Sequence, residues 1–179
     1  MSTAFRPPRP DEVEPGEALS DPENVARILV LRRLDHAPRT RVELERYLTQ
    51  RGIPDEAATT VLDRFTEVGL IDDLAYARGW VTSRHGTRGL GKRAVAQELR
   101  RKGVADDIIA EALDPIDADQ ERTRALQLAR SRYPQVMNLP YATQVRRLMG
   151  ALTRRGYDVG LASAVVREVI ADSEDDSTV

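Results

Sequence analysis

Basic side chains gather in two stretches of this chain, and their type and spacing point to the binding of anions. Residues 78–102 include eight bases and one acid, Glu98, and residues 122–155 include eight bases and no acid. Of the 27 bases in the chain, 25 are arginine, whose forked guanidinium binds phosphate and carboxylate groups. The segregation predicts a surface for a nucleic acid or a protein–nucleic acid assembly. An ordinary arginine-rich surface is the simpler alternative.

Other motifs that could carry chemistry are incomplete. Gly86–Arg93 nearly matches the phosphate-binding loop GxxxxGK(S/T), but Arg93 stands where the magnesium-binding hydroxyl belongs, so we interpret it as a flexible joint between helices. His36 and His85 lack metal-ligand spacing. The acid pairs Asp72-Asp73 and Asp106-Asp107 stand where helices begin, which is typical of capping residues. Since the chain also has no cysteine, we predict no catalytic, metal or cofactor site and no enzymatic activity.

Charge divides the chain into three parts. Residues 1–24 carry a net charge of −4, residues 172–179 another −4, and the body at 25–171 carries +6. Low hydrophobicity predicts a disordered acidic head at 1–21 and a disordered acidic tail at 173–179, which either solubilise the protein or compete with its anionic partner. No apolar run reaches the roughly 18 residues of a membrane span and no export signal is visible, which predicts a cytoplasmic location and no membrane partner.

The body repeats itself three times. The basic-Gly pairs Arg51-Gly52, Lys102-Gly103 and Arg155-Gly156 place their glycines 51 and 53 residues apart. Apolar residues recur in step with these glycines, and the best column lies four residues before each one, at Leu48, Leu99 and Leu152. These leucines are predicted core residues, as is Trp80.

Each copy is predicted to form three short helices. In the first copy, Asp21 and Pro22 are typical of a helix start, Thr40-x-x-Glu43 is a capping-box pattern, and Gly52 suits a left-handed helix end. No convincing alternation of period two occurs, so the chain is predicted to be all-α. We place the repeats at 22–72, 73–118 and 119–172. Because such small units bury little core alone, they are predicted to stack into an elongated, curved array.

Specific motifs in the second copy resemble the RecX family, the regulators of the bacterial recombinase RecA. Gly69–Val81 resembles the family's GxLDD-type turn followed by an aromatic-Ala-Arg-x-aromatic helix. The residues that follow resemble its R…GxGxxR…ELRxKGI stretch, namely Arg84, Gly89, Gly91, Arg93 and Gln97–Val104. The flanking copies resemble the family's three tandem three-helix repeats more loosely. Gly79 departs from expectation because it stands mid-helix, so either a neighbouring helix packs closely there or the helix is locally loose.

The resemblance implies a non-enzymatic modulator that lies in the groove of the RecA–DNA filament and limits strand exchange, ATP hydrolysis and the coprotease activity of the SOS response. We expect a monomer with weak, nonselective affinity for single- or double-stranded DNA. The alternative is a helix-turn-helix transcriptional repressor that binds duplex DNA directly. The predicted partner-binding residues are the bases on the second and third copies: Arg84, Arg88, Lys92, Arg93, Arg100, Arg101, Lys102, Arg146, Arg147, Arg154 and Arg155.

Overall fold

Helices make up all the regular secondary structure that the structure describes. The computed structural model describes residues 21–176, with side chains as far as Ser173. This range contains nine α-helices: α1 (Pro22–His36), α2 (Arg41–Gln50), α3 (Asp55–Glu67), α4 (Asp73–Val81), α5 (Lys92–Arg101), α6 (Asp106–Leu113), α7 (Ala118–Arg132), α8 (Tyr141–Arg154) and α9 (Val159–Asp176). The predicted all-α class is confirmed. None of the helices in the described range has the length and apolar character of a membrane span.

Both of the predicted disordered ends, the head at 1–21 and the tail at 173–179, lie partly outside the described residues. The predicted disorder of the head lies outside the described residues, except for Asp21, whose side chain caps α1 by accepting a hydrogen bond from the backbone N of Asn24 at 3.0 Å. At the other end, α9 continues to Asp176, past residue 173, where the sequence predicts that a disordered tail begins. The hydroxyl of Ser173 contacts the hydroxyl of Tyr133 at 2.6 Å, and this contact ties that turn of α9 to the residue after α7.

Within the described range, the first compact unit comprises residues 21–76 together with 102–104, and its core is built by α1, α2 and α3. The capping box at the start of α2 is confirmed, since the backbone N of Glu43 donates to Oγ1 of Thr40 and the backbone N of Thr40 donates to Glu43. The apolar faces of the three helices meet in one cluster, whose members include Ala26, Val30, Leu44, Leu48, Val61, Leu62 and Phe65.

Within the described range, the second unit comprises residues 77–101 and 105–176. Its largest described cluster joins α7, α8 and α9 through buried residues that include Ala125, Ala129, Leu148, Leu152, Val165 and Val166. Helices α5 and α6 contact each other, and their buried residues include Val95, Leu99, Ile109 and Ala112. The predicted core positions Leu48, Leu99 and Leu152 are fully buried, which confirms that column, whereas Trp80 is only half-buried.

Glycine ends the second helix of each predicted repeat in the left-handed conformation, as the basic-Gly pattern predicts. The φ angles of Gly52, Gly103 and Gly156 are +74°, +82° and +84°. Only the last two face a close neighbour: a Cβ on Gly103 would lie 2.5 Å from Cβ of Val42, and one on Gly156 would collide with the backbone of Ala94. Val42 and Ala94 both lie in the first turn of a helix, so each of these two glycine turns sits against the start of an earlier helix.

The glycine-rich joint makes specific hydrogen bonds to the turn at Gly156. A π-helical segment, Thr82–Thr87, extends α4 towards it. The backbone N of Gly91 donates to the carbonyl of Arg155 at 2.8 Å, and the hydroxyl of Tyr157 donates to the carbonyl of Gly89 at 3.0 Å. A Cβ on Gly91 would lie 2.6 Å from the carbonyl oxygen of Gly156. The glycine therefore permits close backbone approach, and no phosphate-binding loop is formed.

Gly79 lies in α4 on an exposed part of the helix surface. An added Cβ there would meet no described heavy atom within 4 Å. Close packing of a neighbouring helix therefore does not explain this glycine, and of the two sequence-based interpretations only a locally weakened helix remains.

Candidate anion-binding surface

Arg84, one of the predicted partner-binding residues, is engaged within the fold. Its side chain is 17% exposed and its Nε donates to Oε2 of Glu98 at 2.8 Å. The guanidinium also lies 4.0 Å from the ring centroid of Trp80, whose Nε1 donates to the same carboxylate oxygen at 2.8 Å. These three side chains connect the end of α4 to α5. Glu98, the single acid in residues 78–102, accepts both hydrogen bonds and therefore has a structural role.

Lys102 has a similar structural role in the first unit. Its Nζ lies 2.8 Å from Oε1 of Glu43, and both side chains are 23% exposed. The carbonyl of Lys102 accepts a hydrogen bond from Oγ1 of Thr40 at 2.6 Å. Burial raises the pKa of Glu43, but the hydrogen bonds from Lys102 and the Thr40 backbone outweigh burial and leave that pKa below its ordinary value. The Lys102 side chain therefore stabilises the turn at Gly103 rather than facing solvent.

Two more predicted contacts, Arg93 and Arg100, form ion pairs on the surface. Arg93 lies 3.2 Å from Asp158, and Nε of Arg100 lies 2.6 Å from Asp106. Every partner in these pairs is more than half exposed, so solvent screens the attraction and an incoming anion can displace it. The remaining predicted contacts of this copy are Arg88, Lys92 and Arg101, and no ion pair found among the described residues includes them.

The predicted contacts of the third copy meet in one cavity. Arg146, Arg147, Arg154 and Arg155 line an open cavity of about 520 Å³, together with a fifth arginine, Arg132, that the sequence-based set omits. Its remaining lining is mostly apolar, from Leu128, Val136, Leu148 and Ala151. None of the carboxylates in the described range pairs with these five arginines. We call this cavity the arginine cavity.

Helical spacing explains why the arginine cavity forms. Arg147 and Arg154 are seven residues apart on α8, so they lie on one face two turns apart. Arg132 joins them from the end of α7. Arg155 is oriented by its own hydrogen bond, in which Nη1 donates to the carbonyl of Arg88 at 2.5 Å. The cavity therefore presents guanidinium groups over an apolar floor, an arrangement suited to phosphate or carboxylate groups.

The first unit holds a second basic cluster that sequence reasoning missed. Arg33, Arg39 and Arg46 line a cavity of about 180 Å³ beside Tyr47. By sequence the first copy is balanced in charge, because Glu43 and Glu45 stand among its arginines. In the structure, Glu43 is paired with Lys102, 59 residues further along the chain, so its charge mainly offsets that of Lys102 rather than the charges of the neighbouring arginines. The sequence feature that could have indicated this cluster is Tyr47, an aromatic residue that stands between Arg46 and Arg51.

Comparison with known proteins gives consistent matches. Residues 26–65 match the family model described as RecX, first three-helix domain, and residues 72–113 match RecX, second three-helix domain. A protein named Regulatory protein RecX from Thermobifida fusca is 50% identical over 143 residues, covering 80% of this chain and 77% of that protein. One of the same name from Mycobacterium avium is 47% identical over 174 residues, covering 96% and 97%.

Solved structures agree with these sequence matches. The crystal structure of RecX from Lactobacillus salivarius superposes with a TM-score of 0.76 at 21% identity, covering 86% of this chain and 97% of that one. A second, titled crystal structure of regulatory protein RecX, gives 0.74 at 27% identity, covering 88% and 75%. The first of these likenesses concerns the fold alone.

Proposed function

The chain belongs to the RecX family, and from that premise we propose that it is a non-enzymatic regulator of the RecA recombinase. It binds as a monomer in the groove of the RecA–DNA filament in the cytoplasm and limits strand exchange, ATP hydrolysis and coprotease activity. The named relatives are regulatory proteins, which supports regulation rather than catalysis. The fold supplies basic surfaces for an anionic assembly of this kind.

The arginine cavity is the observation that carries this proposal. Its five guanidinium groups have no carboxylate partner among the described residues, so they can bind the acidic groups of another molecule. Hydrogen bonds to charged groups each contribute about 1.5–3 kcal/mol when formed. Arg146, Arg147 and Arg154 are exposed and form no ion pair found among the described residues, so replacing them should change the stability of the fold little. The exposed bases Arg88, Arg93, Arg100 and Arg101 add further positive charge to the same unit.

The proposal is tested by adding the protein to purified RecA on single-stranded DNA and measuring ATP hydrolysis and strand exchange. We expect dose-dependent inhibition by the natural sequence. The variant Arg146→Gln/Arg147→Gln/Arg154→Gln removes three charges from the arginine cavity, and we expect it to inhibit at least tenfold less strongly. The matched control Arg64→Gln/Arg124→Gln/Arg167→Gln removes three charges from positions outside both basic cavities and should inhibit nearly as well as the natural sequence.

Two results separate this proposal from its rival. If the natural sequence leaves ATP hydrolysis and strand exchange unchanged, the proposal is wrong. A sequence-selective footprint on naked promoter DNA, without recombinase, would instead support the helix-turn-helix repressor. Equal loss of inhibition in the triple variant and its control would retain the function but remove the arginine cavity as its site.

A further inference from the structure

The cavity beside Tyr47 has features of a second binding site, separate from the arginine cavity. Four arginines of the first unit surround this tyrosine: Arg33, Arg39 and Arg46 line the cavity with it, and Arg51 lies over its ring. We call these five residues the Tyr47 cluster. We propose that the Tyr47 cluster binds the phosphate groups of a nucleic-acid strand without the help of a recombinase. This assigns a site in the first unit to the nonselective DNA affinity expected from the sequence, separate from the site of the regulatory function proposed above.

Tyr47 holds two of these arginines in place without using their hydrogen-bond donors. The guanidinium carbon of Arg33 lies 4.2 Å from the ring centroid, and that of Arg51 lies 5.1 Å from it. A guanidinium over an aromatic ring is attracted through its face, while its N–H groups point outward along its edge. An arginine fixed by a carboxylate would have those donors occupied. The cluster therefore orders two cations and leaves their edges available to an oxyanion.

Arg39 supplies evidence of a missing acceptor. Its Nε is buried and has no hydrogen-bond partner among the described residues. A buried donor without an acceptor costs free energy, so such groups commonly mark the position of a ligand, a water or an ion. The nearby acid does not meet this need, because Oε1 of Glu43 contacts Lys102 at 2.8 Å and Oε2 accepts from the backbone N of Thr40 at 3.3 Å.

The lining of the cavity favours a phosphate group. It is a small, open cavity of about 180 Å³, and the guanidinium groups of three arginines line it, which suits the oxygens of an oxyanion. Four separate guanidinium groups need closely spaced negative charges, and a nucleic-acid strand provides one at every nucleotide. Because contacts to phosphate carry no sequence information, binding at this site should be independent of sequence.

The test measures binding of the full chain to a fluorescein-labelled oligo(dT) strand by anisotropy over a series of KCl concentrations, without recombinase. Arg33→Gln/Arg46→Gln removes two cations of the cluster. The matched control Arg27→Gln/Arg64→Gln removes two cations of the same unit that lie outside it. We expect about tenfold or greater weakening for the first variant and less than twofold for the control. The slope of log affinity against log salt should fall by about 0.7 for each phosphate that the variant no longer binds.

Tyr47 itself provides a test that changes no charge. Tyr47→Leu removes the ring that orders Arg33 and Arg51, so we expect weaker binding with unchanged net charge. Tyr47→Phe keeps the ring face and should bind as the natural sequence does. Circular dichroism spectra of both variants show whether the helices remain formed.

Each other outcome overturns the inference. Equal weakening by the cluster variant and its control would mean that charge alone acts, with no site. Unchanged binding of oligo(dT) by Arg33→Gln/Arg46→Gln would exclude a phosphate site. If a variant that still binds oligo(dT) normally fails to inhibit RecA, the cluster would instead bind carboxylates of a protein, and the regulatory function would still stand.

Discussion

Substituting alanine for the three repeat glycines separates two physical effects that each turn combines. Gly52, Gly103 and Gly156 share nearly the same positive φ, so alanine at any of them adopts a left-handed conformation that costs about 1–2 kcal/mol. They differ in their surroundings. An added Cβ meets no described atom within 4 Å at Gly52, but it lies 2.5 Å from Cβ of Val42 at Gly103.

The collision adds a second cost at two of the three positions. Overpacking a tight contact costs about 1–3 kcal/mol, so Gly103→Ala should lower the free energy of unfolding by about 2–5 kcal/mol. Gly156→Ala should cost at least as much, because its nearest neighbours include the backbone of Ala94, which cannot move away by changing rotamer. Gly52→Ala should cost only the conformational part, about 1–2 kcal/mol.

Urea unfolding followed by circular dichroism measures these differences, with each variant compared with the natural sequence under the same conditions. The expected order of stability loss is Gly156→Ala and Gly103→Ala above Gly52→Ala. If all three variants lose the same stability, the close approaches of Val42 and Ala94 have no energetic role, and the seating of these turns against earlier helices is refuted.

Further predictions concern the other local features of the fold. Gly79→Ala should raise the free energy of unfolding by about 0.5–1 kcal/mol in urea titrations, because the site is exposed and open, and a loss of stability would contradict this. The pKa of Glu43 is lower in the folded state than in the unfolded state, so the stabilisation from its pairing with Lys102 is present above the unfolded pKa and lost as pH falls through the folded pKa. Glu43→Gln should therefore be less stable than the natural sequence at neutral pH, with a gap that closes in strongly acidic urea titrations. Glu98→Ala should cost about 1–3 kcal/mol and change the fluorescence of Trp80, whose Nε1 donates to that carboxylate.

Features set by nearby residues could be predicted from the sequence. The capping box at Thr40 and Glu43 depends on a three-residue spacing, and the left-handed turn at Gly52 depends on one residue type, so both follow from local rules. The buried leucine column follows equally from a repeated spacing. Patterns of this kind need no knowledge of which distant residues meet.

The role of individual charges could not be predicted, because it depends on contacts between distant residues. Arg84 meets Glu98 across 14 residues, and Lys102 meets Glu43 across 59, so both bases are partly withdrawn from solvent. Counting bases and acids along the chain treats every arginine as equally available. For the same reason, the sequence-based set omits Arg132 and contains no member of the Tyr47 cluster.

The basic residue before each repeat glycine shows how one sequence pattern can serve different purposes. Lys102 pairs with Glu43, and Arg155 donates to the carbonyl of Arg88, so in the second and third copies this residue helps to hold its turn in place. In the first copy a Cβ added at Gly52 would meet no described atom within 4 Å, and Arg51 stacks on Tyr47 instead. A cation without such a structural task keeps its hydrogen-bond donors for another molecule. The basic-Gly pattern therefore marks the position of a turn in every copy, whereas the contacts of its basic side chain differ from copy to copy.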